Sequence, residues 1–550
     1  MDEFVQALRK ARFSGDIDDS DEKRVAYSHD ASLFEIQPQL VVAPKNSSDV
    51  QKLVALTADY KGKIPDLSLT ARAAGTDMSG GAVNDSVIVD FNKYFTEIKK
   101  VTPEEAHAEP GVFYRDFEKE TLKHKAIMPS YPASRDLCTI GGMVANNSGG
   151  EKSLEYGKVI NFVNELKVVF ADGNEYTVRP LNKAELIKKM AQRDFEGDLY
   201  KRTFELVEKN YEAIQSAKPK VSKISMGYNL WDVWNPETGI FDLTKLIVGS
   251  QGTLGFVTDI KYRLVPVRPH SGLLVCFLKD MDKLGEIINV VLTHKPATFE
   301  CFDDNTLYWS IRFMPYYHKT LGWWGLFKLM FSLIPDGLLL LKGIPKMILM
   351  IEFNGQTPEE VEDKIDKMRI DLRHYKMAME RNETEAKSQK FWIMRRQAFN
   401  LLRQKVKEKH TAPFIDDLVV APPHLPEFLP RLRRIIKKYK LLATVQGHIG
   451  DGNFHVIPLM QIEEKRERDK LRPAMEEVNE LVLRFDGCLS GEHNDGLIRG
   501  PWLDEQFGRK VFGLFRETKD IFDPQNVFNP HKKADATWDY TFSHIRKNFD

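Results

Sequence analysis

Two histidines and a glutamate in the second half of the chain have the side-chain types and spacing of a metal site. The run Gly447-His448-Ile449-Gly450-Asp451-Gly452-Asn453-Phe454-His455 is followed downstream by Glu492-His493. His448, His455 and Glu492 offer the nitrogen and oxygen ligands that suit zinc, with manganese or iron as alternatives. Three protein ligands leave one position open for a substrate oxygen. His493, next to the carboxylate, has the chemistry of a general base.

Those ligands must be positioned by a turn. Two histidines seven residues apart on one regular strand point to opposite faces. Gly450 and Gly452, flanking Asp451, permit the reversal that would bring them together. The alternative is a tight strand-loop-strand whose histidines are satisfied by hydrogen bonds alone.

Composition narrows the classes. The chain has 550 residues, enough for two or three domains, and 42% are hydrophobic, as in a folded globular protein. Its 79 basic and 79 acidic residues cancel, which argues against nucleic acid as a partner. Cys138, Cys276, Cys301 and Cys488 are scattered with no CxxC pair, so neither a cysteine-ligated cluster nor a disulfide framework is expected. The opening Met1-Asp2-Glu3-Phe4 is unlike a secretory signal, and a cytoplasmic location follows as the expectation. From Leu321 to Ile351, aromatic and apolar residues alternate with Lys328, Lys342 and Lys346, the composition of a segment lying on a membrane surface or, alternatively, of a buried helical cap. Pro335 and Pro345 break it into short helices and argue against spanning.

The regular elements predict an α/β first half. Leu40-Val41-Val42-Ala43 and Ser86 to Asp90 read as strands around a helix capped at Ser47-Ser48-Asp49. Asp172-Gly173 marks a hairpin between Leu166 to Phe170 and Glu175 to Val178, and a further strand-rich block runs from Lys245 to Val265. After Pro266 and Pro269 the pattern restarts with strands near Leu273 to Phe277 and Ile348 to Phe353, and with charged helices at Thr357 to Lys376 and Leu425 to Lys440. The expected organisation is an extension at 1–36, a first domain at 37–268, a second at 269–533 holding the segment 321–351, and a tail at 534–550. The extension and tail read as appendages.

Three loops rich in glycine and hydroxyls lie in the first half: Arg72-Ala73-Ala74-Gly75-Thr76-Asp77-Met78-Ser79-Gly80-Gly81, Thr139 to Gly150, and Val248 to Gly255. Small residues let backbone amides approach an anion. None is a P-loop or a GxGxxG fingerprint. Their order, with Tyr156-Gly157, Ser490-Gly491-Glu492-His493 and Phe522-Asp523-Pro524-Gln525-Asn526-Val527-Phe528-Asn529-Pro530, resembles the vanillyl-alcohol oxidase and p-cresol methylhydroxylase superfamily of flavoproteins. Within it, the histidine motif looks like the branch of D-lactate dehydrogenase, D-2-hydroxyglutarate dehydrogenase and the flavin subunit of glycolate oxidase.

The resemblance implies an α+β protein: a two-part FAD-binding domain followed by an α/β substrate domain with an antiparallel sheet. It implies that FAD is bound by Arg72, Ala74, Gly75, Thr76, Asp77, Ser79, Gly80, Thr139, Gly141, Gly142, Asn146, Ser148, Gly149, Tyr156, Gly157, Gly249, Gly252, Thr253, Leu254 and Asn529. Thr76 stands where members with covalent flavin place histidine, so the flavin is expected to be non-covalent. It implies oxidation of a 2-hydroxy acid, with Arg396 on the substrate carboxylate, His493 taking the hydroxyl proton, and electrons leaving to a quinone or another acceptor at the inner face of the cell membrane. Gln251, Ile457, His531 and Phe414-Ile415-Asp416-Asp417 depart from the branch pattern and favour a D-lactate-like acid over a dicarboxylate. A non-redox transferase resembling alkylglycerone-phosphate synthase is the alternative. Its cluster of adjacent histidines is represented here by one.

Overall fold

In the computed structural model, residues 1–312, 314–332, 343–382, 387–395 and 409–547 are described. The described first half contains two large sheets and two two-stranded ribbons, Trp234–Asn235 with Ile240–Phe241 and Ala126–Ile127 with Val265–Pro266. One large sheet holds the parallel strands Leu40–Ala43, Val87–Asp90 and Leu69–Arg72, with Asp16–Asp18 added antiparallel at the edge. Leu40–Ala43 and Val87–Asp90 are buried at every position, as expected of central parallel strands covered on both faces. The connecting helix Ser47–Tyr60 is capped one residue earlier than the sequence suggested: Asn46 Oδ1 accepts from the Asp49 amide at 3.1 Å.

The other sheet is antiparallel, in the order Ile98–Val101, Glu105–Ala108, Phe256–Arg263, Val163–Val169 and Glu175–Val178. The hairpin closed by Asp172-Gly173 pairs Val169 with Glu175. The block expected to be strand-rich from Lys245 instead opens with a short helix, Thr244–Ile247, before the strand.

The second half is built on an eight-stranded antiparallel sheet. Its main order is Ala378–Asn382, His270–Leu278, Met347–Gly355, Thr298–Asp303, Leu442–His448, Asn453–Met460 and His410–Thr411, with Leu418–Val419 also pairing to Asn453–Met460. The strand Thr298–Asp303, buried throughout, has no counterpart in the sequence reading. The helices Pro358–Leu372 and Leu425–Lys438 form within the two charged stretches expected to be helical. Both halves share one apolar core that runs from Leu33 to Ile545.

The two chain ends are not appendages. Phe4 and Leu8, on the helix Asp2–Lys10, are fully buried in a core with Leu40, Val50 and Phe528. At the other end Phe34 bridges Ile545, and the Arg546 amide donates to Leu33 O at 2.9 Å. Each end carries too few apolar residues to make a core alone, so each completes one begun elsewhere. Of the apolar segment 321–351, the helix His318–Ser332 and the strand from Met347 are described, while the Leu338 to Leu341 block lies outside the described residues.

Candidate active site

A hairpin solves the problem of the two histidines. Leu442–His448 and Asn453–Met460 pair antiparallel, with Gln446 opposite His455 and His448 opposite Asn453. His448 is two residues from Gln446 and so shares a face with His455. The reversal is a 3-10 turn, Ile449–Asp451, closed by Gly452 at φ +68. A Cβ there would lie 1.8 Å from Val420 O, so only glycine fits.

Three imidazoles face one carboxylate oxygen. Glu492 Oε1 lies 3.1 Å from His455 Nε2, 3.3 Å from His448 Nε2 and 4.0 Å from His493 Nε2. Each Nδ1 is turned to another buried carboxylate: His448 to Glu300 Oε1 at 2.5 Å, His455 to Asp416 Oδ1 at 3.2 Å, and His493 to Asp416 Oδ2 at 2.7 Å. With a carboxylate at each ring nitrogen His455 holds both protons, and loss of the one on Nε2 would leave a lone pair there, the state that outer carboxylates favour behind metal-binding histidines.

Asp417, His455, Glu492 and His493 bring ligand atoms within 4.8 Å of one another, a group that could hold a metal. Asp417 is nevertheless committed elsewhere. Its Oδ2 accepts from Ser490 Oγ at 2.5 Å and from the amides of Glu492 and His493 at 2.9 and 2.7 Å. Its Oδ1 accepts from Asn453 Nδ2 at 3.0 Å. With four donors, Asp417 is the anchor of the Glu492-His493 turn, and His448, His455 and Glu492 retain the freer ligand atoms.

The charges are interlocked. Burial opposes ionisation of Glu492, yet Lys223 and His448 hold its carboxyl well below the usual range. Lys223, almost fully buried, lies 3.4 Å from Glu492 Oε2 and 3.3 Å from Asp451 Oδ2. Burial would lower the pKa of His455, but Asp416 and Glu492 raise it to about 10, and Asp417 with Asp416 raises that of His493 in the same way. Lys158 donates to Ser225 Oγ at 2.6 Å and Gly491 O at 3.0 Å, and its burial brings it down to about 7. Such buried cations and anions are maintained only while each has its partner. The donor set of neutral nitrogens and one carboxylate fits a divalent cation, which would relieve the proton held on His455.

Arg396 lies outside the described residues. Its neighbour Arg395 is buried and ion-paired with Glu300, behind His448. Arg395 thus supports His448 through Glu300.

The three glycine-rich loops meet beside this centre. Asp77 receives the amides of Ser79 and Gly81 at 3.1 and 2.7 Å and Asn146 Nδ2 at 2.9 Å. Gln251 Nε2 donates to Ser79 Oγ at 3.1 Å and Asn146 Oδ1 at 3.3 Å. Asn529 Nδ2 joins Gly81 O and Gln251 O, both at 2.8 Å, while its Oδ1 accepts from Thr70 at 3.0 Å. Among the described residues, the amides of Ala74, Gly75, Thr76 and Asp77 meet no acceptor. A row of such donors beside small side chains fits a diphosphate.

Other expected cofactor residues act as scaffold. Arg72 is spent on His29 O and Ala82 O at 2.8 and 3.2 Å, bracing the first loop. Thr139 caps the helix Ile140–Asn146, which carries Gly141 and Gly142, and Ser148 and Gly149 follow its left-handed end at Asn147. Tyr156 and Gly157 end the next short helix. Thr253 is hydrogen-bonded to Tyr228, and Leu254 sits in the core, so neither offers its side chain to a ligand.

One turn belongs to both regions. From Glu492-His493 in the imidazole cluster the chain continues to Asn494, whose Nδ2 donates to Gly249 O at 2.9 Å and Asn146 O at 3.2 Å. The Gly496 amide donates to Gln251 Oε1 at 2.8 Å and the Leu497 amide to Ser79 O at 2.9 Å. The second loop touches back: a Cβ on Gly149 would lie 2.9 Å from Glu492 Oε2.

Residues 268–533 match the C-terminal domain of FAD linked oxidases, and residues 38–179 match an FAD binding domain. The chain belongs to the FAD-linked oxidases. It is 27% identical over 96% of its length to the D-2-hydroxyglutarate dehydrogenase of Pseudomonas putida, but covers 51% of that protein. The chain thus spans about half the length of that relative. It is 25% identical to glycolate oxidase subunit GlcD of Bacillus subtilis, over 94% of this chain and 93% of that one. Among solved structures, p-cresol methylhydroxylase with substrate bound superposes with a TM-score of 0.66 at 14% identity, covering 97% of this chain and 96% of the other. The last likeness shows the fold alone, and that fold is the α+β arrangement expected from the sequence. FAD is accordingly the cofactor of the first domain.

Sequence reasoning missed Glu300, Asp416, Asp417, Lys158 and Lys223. An acid inside the apolar run Thr298-Phe299-Glu300-Cys301-Phe302 and an acid pair after Phe414-Ile415 are both legible signals. Asp416-Asp417 was noticed only as a departure from the branch pattern. Nothing local marks either lysine.

Proposed function

We propose that this FAD-linked oxidase oxidises a small, D-lactate-like 2-hydroxy acid to the 2-keto acid. The observation that carries the reading is the shared turn. Glu492 and His493 face the imidazole cluster while Asn494 and Gly496 bind the flavin loops, so an alcohol held at the first is beside the second.

His448, His455 and Glu492 would hold a divalent cation, zinc first among the candidates, whose Lewis acidity lowers the pKa of a hydroxyl oxygen. FAD, when bound, supplies the acceptor for the hydride leaving the substrate carbon. The amides from Ala74 to Asp77 bind the diphosphate, and Asp77, Asn146 and Gln251 hold the loops in register around it. His493 Nε2 receives the hydroxyl proton. Asp416, behind His493 Nδ1, stabilises the imidazolium that forms. Arg396 is assigned to the substrate carboxylate, because Arg395 is spent on Glu300 and because a planar guanidinium suits bidentate binding. Ile457, buried in the sheet, offers no polar group to a second carboxylate. Electrons then pass to an external carrier, a quinone or another acceptor, since the four cysteines are buried and unpaired and the metal-ligating group contains none.

The test is anaerobic mixing of the metal-loaded yellow protein with a panel of D- and L-2-hydroxy acids. Bleaching of the oxidised flavin band by D-lactate supports the reading. Bleaching only by a dicarboxylate would move the substrate to that class. A band unchanged by every acid would leave the transferase alternative.

A further inference from the structure

The helix His318–Ser332 presents rings to solvent that, His318 stacked on Trp323 aside, no other element among the described residues covers. Trp323 is 73% exposed, Trp324 69%, Phe327 58% and Phe331 69%. Trp324 stacks on Phe327 at 5.8 Å between centroids, and Phe327 on Phe331 at 6.5 Å, so the rings form a ladder along one side of the helix. Met330 and, later in the chain, Ile344 are exposed as well. Elsewhere among the described residues only Tyr308 and Tyr316, just before this helix, are exposed large aromatics. An exposed ring ladder marks a surface that another phase or molecule covers.

Charge decides the occupant. Between Asp304 and Asp336 the sequence has no acidic residue, although acids make up 79 of its 550 positions and balance the bases overall. The same stretch carries Arg312, Lys319 and Lys328, and Lys342 and Lys346 follow. Lys328 Nζ sits 5.6 Å from the centre of the Trp324 ring. The stretch is rooted in the helix Asp304–Arg312, about 13 Å long. At its start Asp304 meets Lys346 at 2.9 Å and Arg433 at 3.6 Å. There a groove of about 930 Å³ is lined by Lys346, Arg433, Lys437 and Lys440, against the two acids Asp303 and Asp304. Indole rings with lysines on a short helix are the composition of a segment in the lipid headgroup layer. None of the described helices is long and apolar enough to cross a membrane.

We propose that the helix His318–Ser332 is a docking surface for an anionic lipid bilayer. The helix lies in the plane of the headgroups with Trp323, Trp324, Phe327 and Phe331 inserted, while Lys328 and the groove lysines meet lipid phosphates. This stands independently of the reaction proposed above, since neither the rings nor the lysines belong to the imidazole cluster or the flavin loops.

The FAD-loaded full chain is to be sedimented with vesicles of phosphatidylcholine alone and of phosphatidylcholine with phosphatidylglycerol. Association with the anionic vesicles, weakening as salt is raised, is expected. The variant Trp323→Ser/Trp324→Ser/Phe331→Ser should keep its flavin and lose about tenfold or more in vesicle affinity. The single variant Lys328→Glu, at an exposed position that cannot threaten folding, should bind anionic vesicles about fivefold more weakly. A wild-type chain left in the supernatant by both vesicles overturns the proposal, as does a triple variant that sediments like wild type. Dimerisation in the absence of lipid that the ring substitutions abolish would give the surface to a second copy of the chain instead.

Discussion

The flavin cradle and the imidazole cluster share the turn from Glu492 to Gly496, yet they are held by different forces. The cradle is stitched mainly by neutral amides: Gln251, Asn146, Asn494 and Asn529 cross-link the loops through backbone and side-chain hydrogen bonds, with the Asp77 carboxylate as one anionic acceptor among them. The cluster is held by ionised groups, with Lys223, Glu492, Asp416 and Glu300 around three imidazoles. Amide hydrogen bonds keep their strength without an ionised partner. Buried charges set a site that must exchange protons for a cation, which is what metal binding requires. Substitutions on one side of the turn should therefore spare the other.

The largest effect is expected from Glu492→Gln. It removes the anion that three Nε2 atoms face, so metal content should vanish and turnover fall about a thousandfold or more. Flavin content, read by absorbance, should stay near wild type. Loss of flavin together with metal would show that the two regions are one cooperative unit. His493→Asn should lower turnover by about a hundredfold to ten-thousandfold while both metal and flavin remain. Metal lost with His493 would make it a ligand.

Asp416→Asn is milder, because it acts behind the histidines. Its two oxygens orient His455 and His493, so the amide should weaken metal binding by about ten- to a hundredfold in a competition titration with a chelator. Unchanged affinity would confine Asp416 to packing.

How far these residues were legible follows from the same contrast. His448, His455, Glu492 and His493 were visible because titratable side chains around glycines are conspicuous, and the hairpin that unites them follows from period-two alternation and one left-handed glycine. The loops were visible through their glycines, but the bonds that lock them were not. Nothing in the text pairs Asn529 with Gly81, or Asn494 with Gly249, since such contacts are set by tertiary packing across long sequence separations. Lys158 and Lys223 were illegible for the same reason. An isolated lysine reads as surface until the fold buries it. The chain ends looked dispensable because their few apolar residues, Phe4, Leu8, Phe34 and Ile545, gain meaning only inside cores begun elsewhere.

The pH dependence sharpens the comparison further. In metal-free protein the His455 imidazolium, raised to about 10, contributes stability that is fully present below its unfolded pKa of about 6.5. That contribution is lost as pH rises through about 10. Lys158 and Lys532, each lowered to about 7, act with the opposite sign over the same interval. The informative quantity is hence the difference in Tm between the wild-type chain and His455→Asn, both stripped of metal. The difference should shrink from pH 6.5 to pH 10 and be flat below pH 6. A constant difference would mean that His455 is neutral in the folded state.

The smallest change is predicted for Gln251→Glu, on the neutral side of the turn. The carboxylate keeps an acceptor for the Gly496 amide but loses the donors to Ser79 Oγ and Asn146 Oδ1. Ser79 Oγ already gives its one proton to Asp77, so the carboxylate meets lone pairs at both Ser79 Oγ and Asn146 Oδ1. The expected cost is about 1 kcal/mol, read as flavin binding weakened about fivefold in equilibrium dialysis. Metal affinity should not move, because no atom of Gln251 meets the imidazole cluster. A loss of metal here would mean that the Asn494 to Gly496 turn transmits cradle geometry to Glu492, and the two regions would then be mechanically coupled despite being held by different forces.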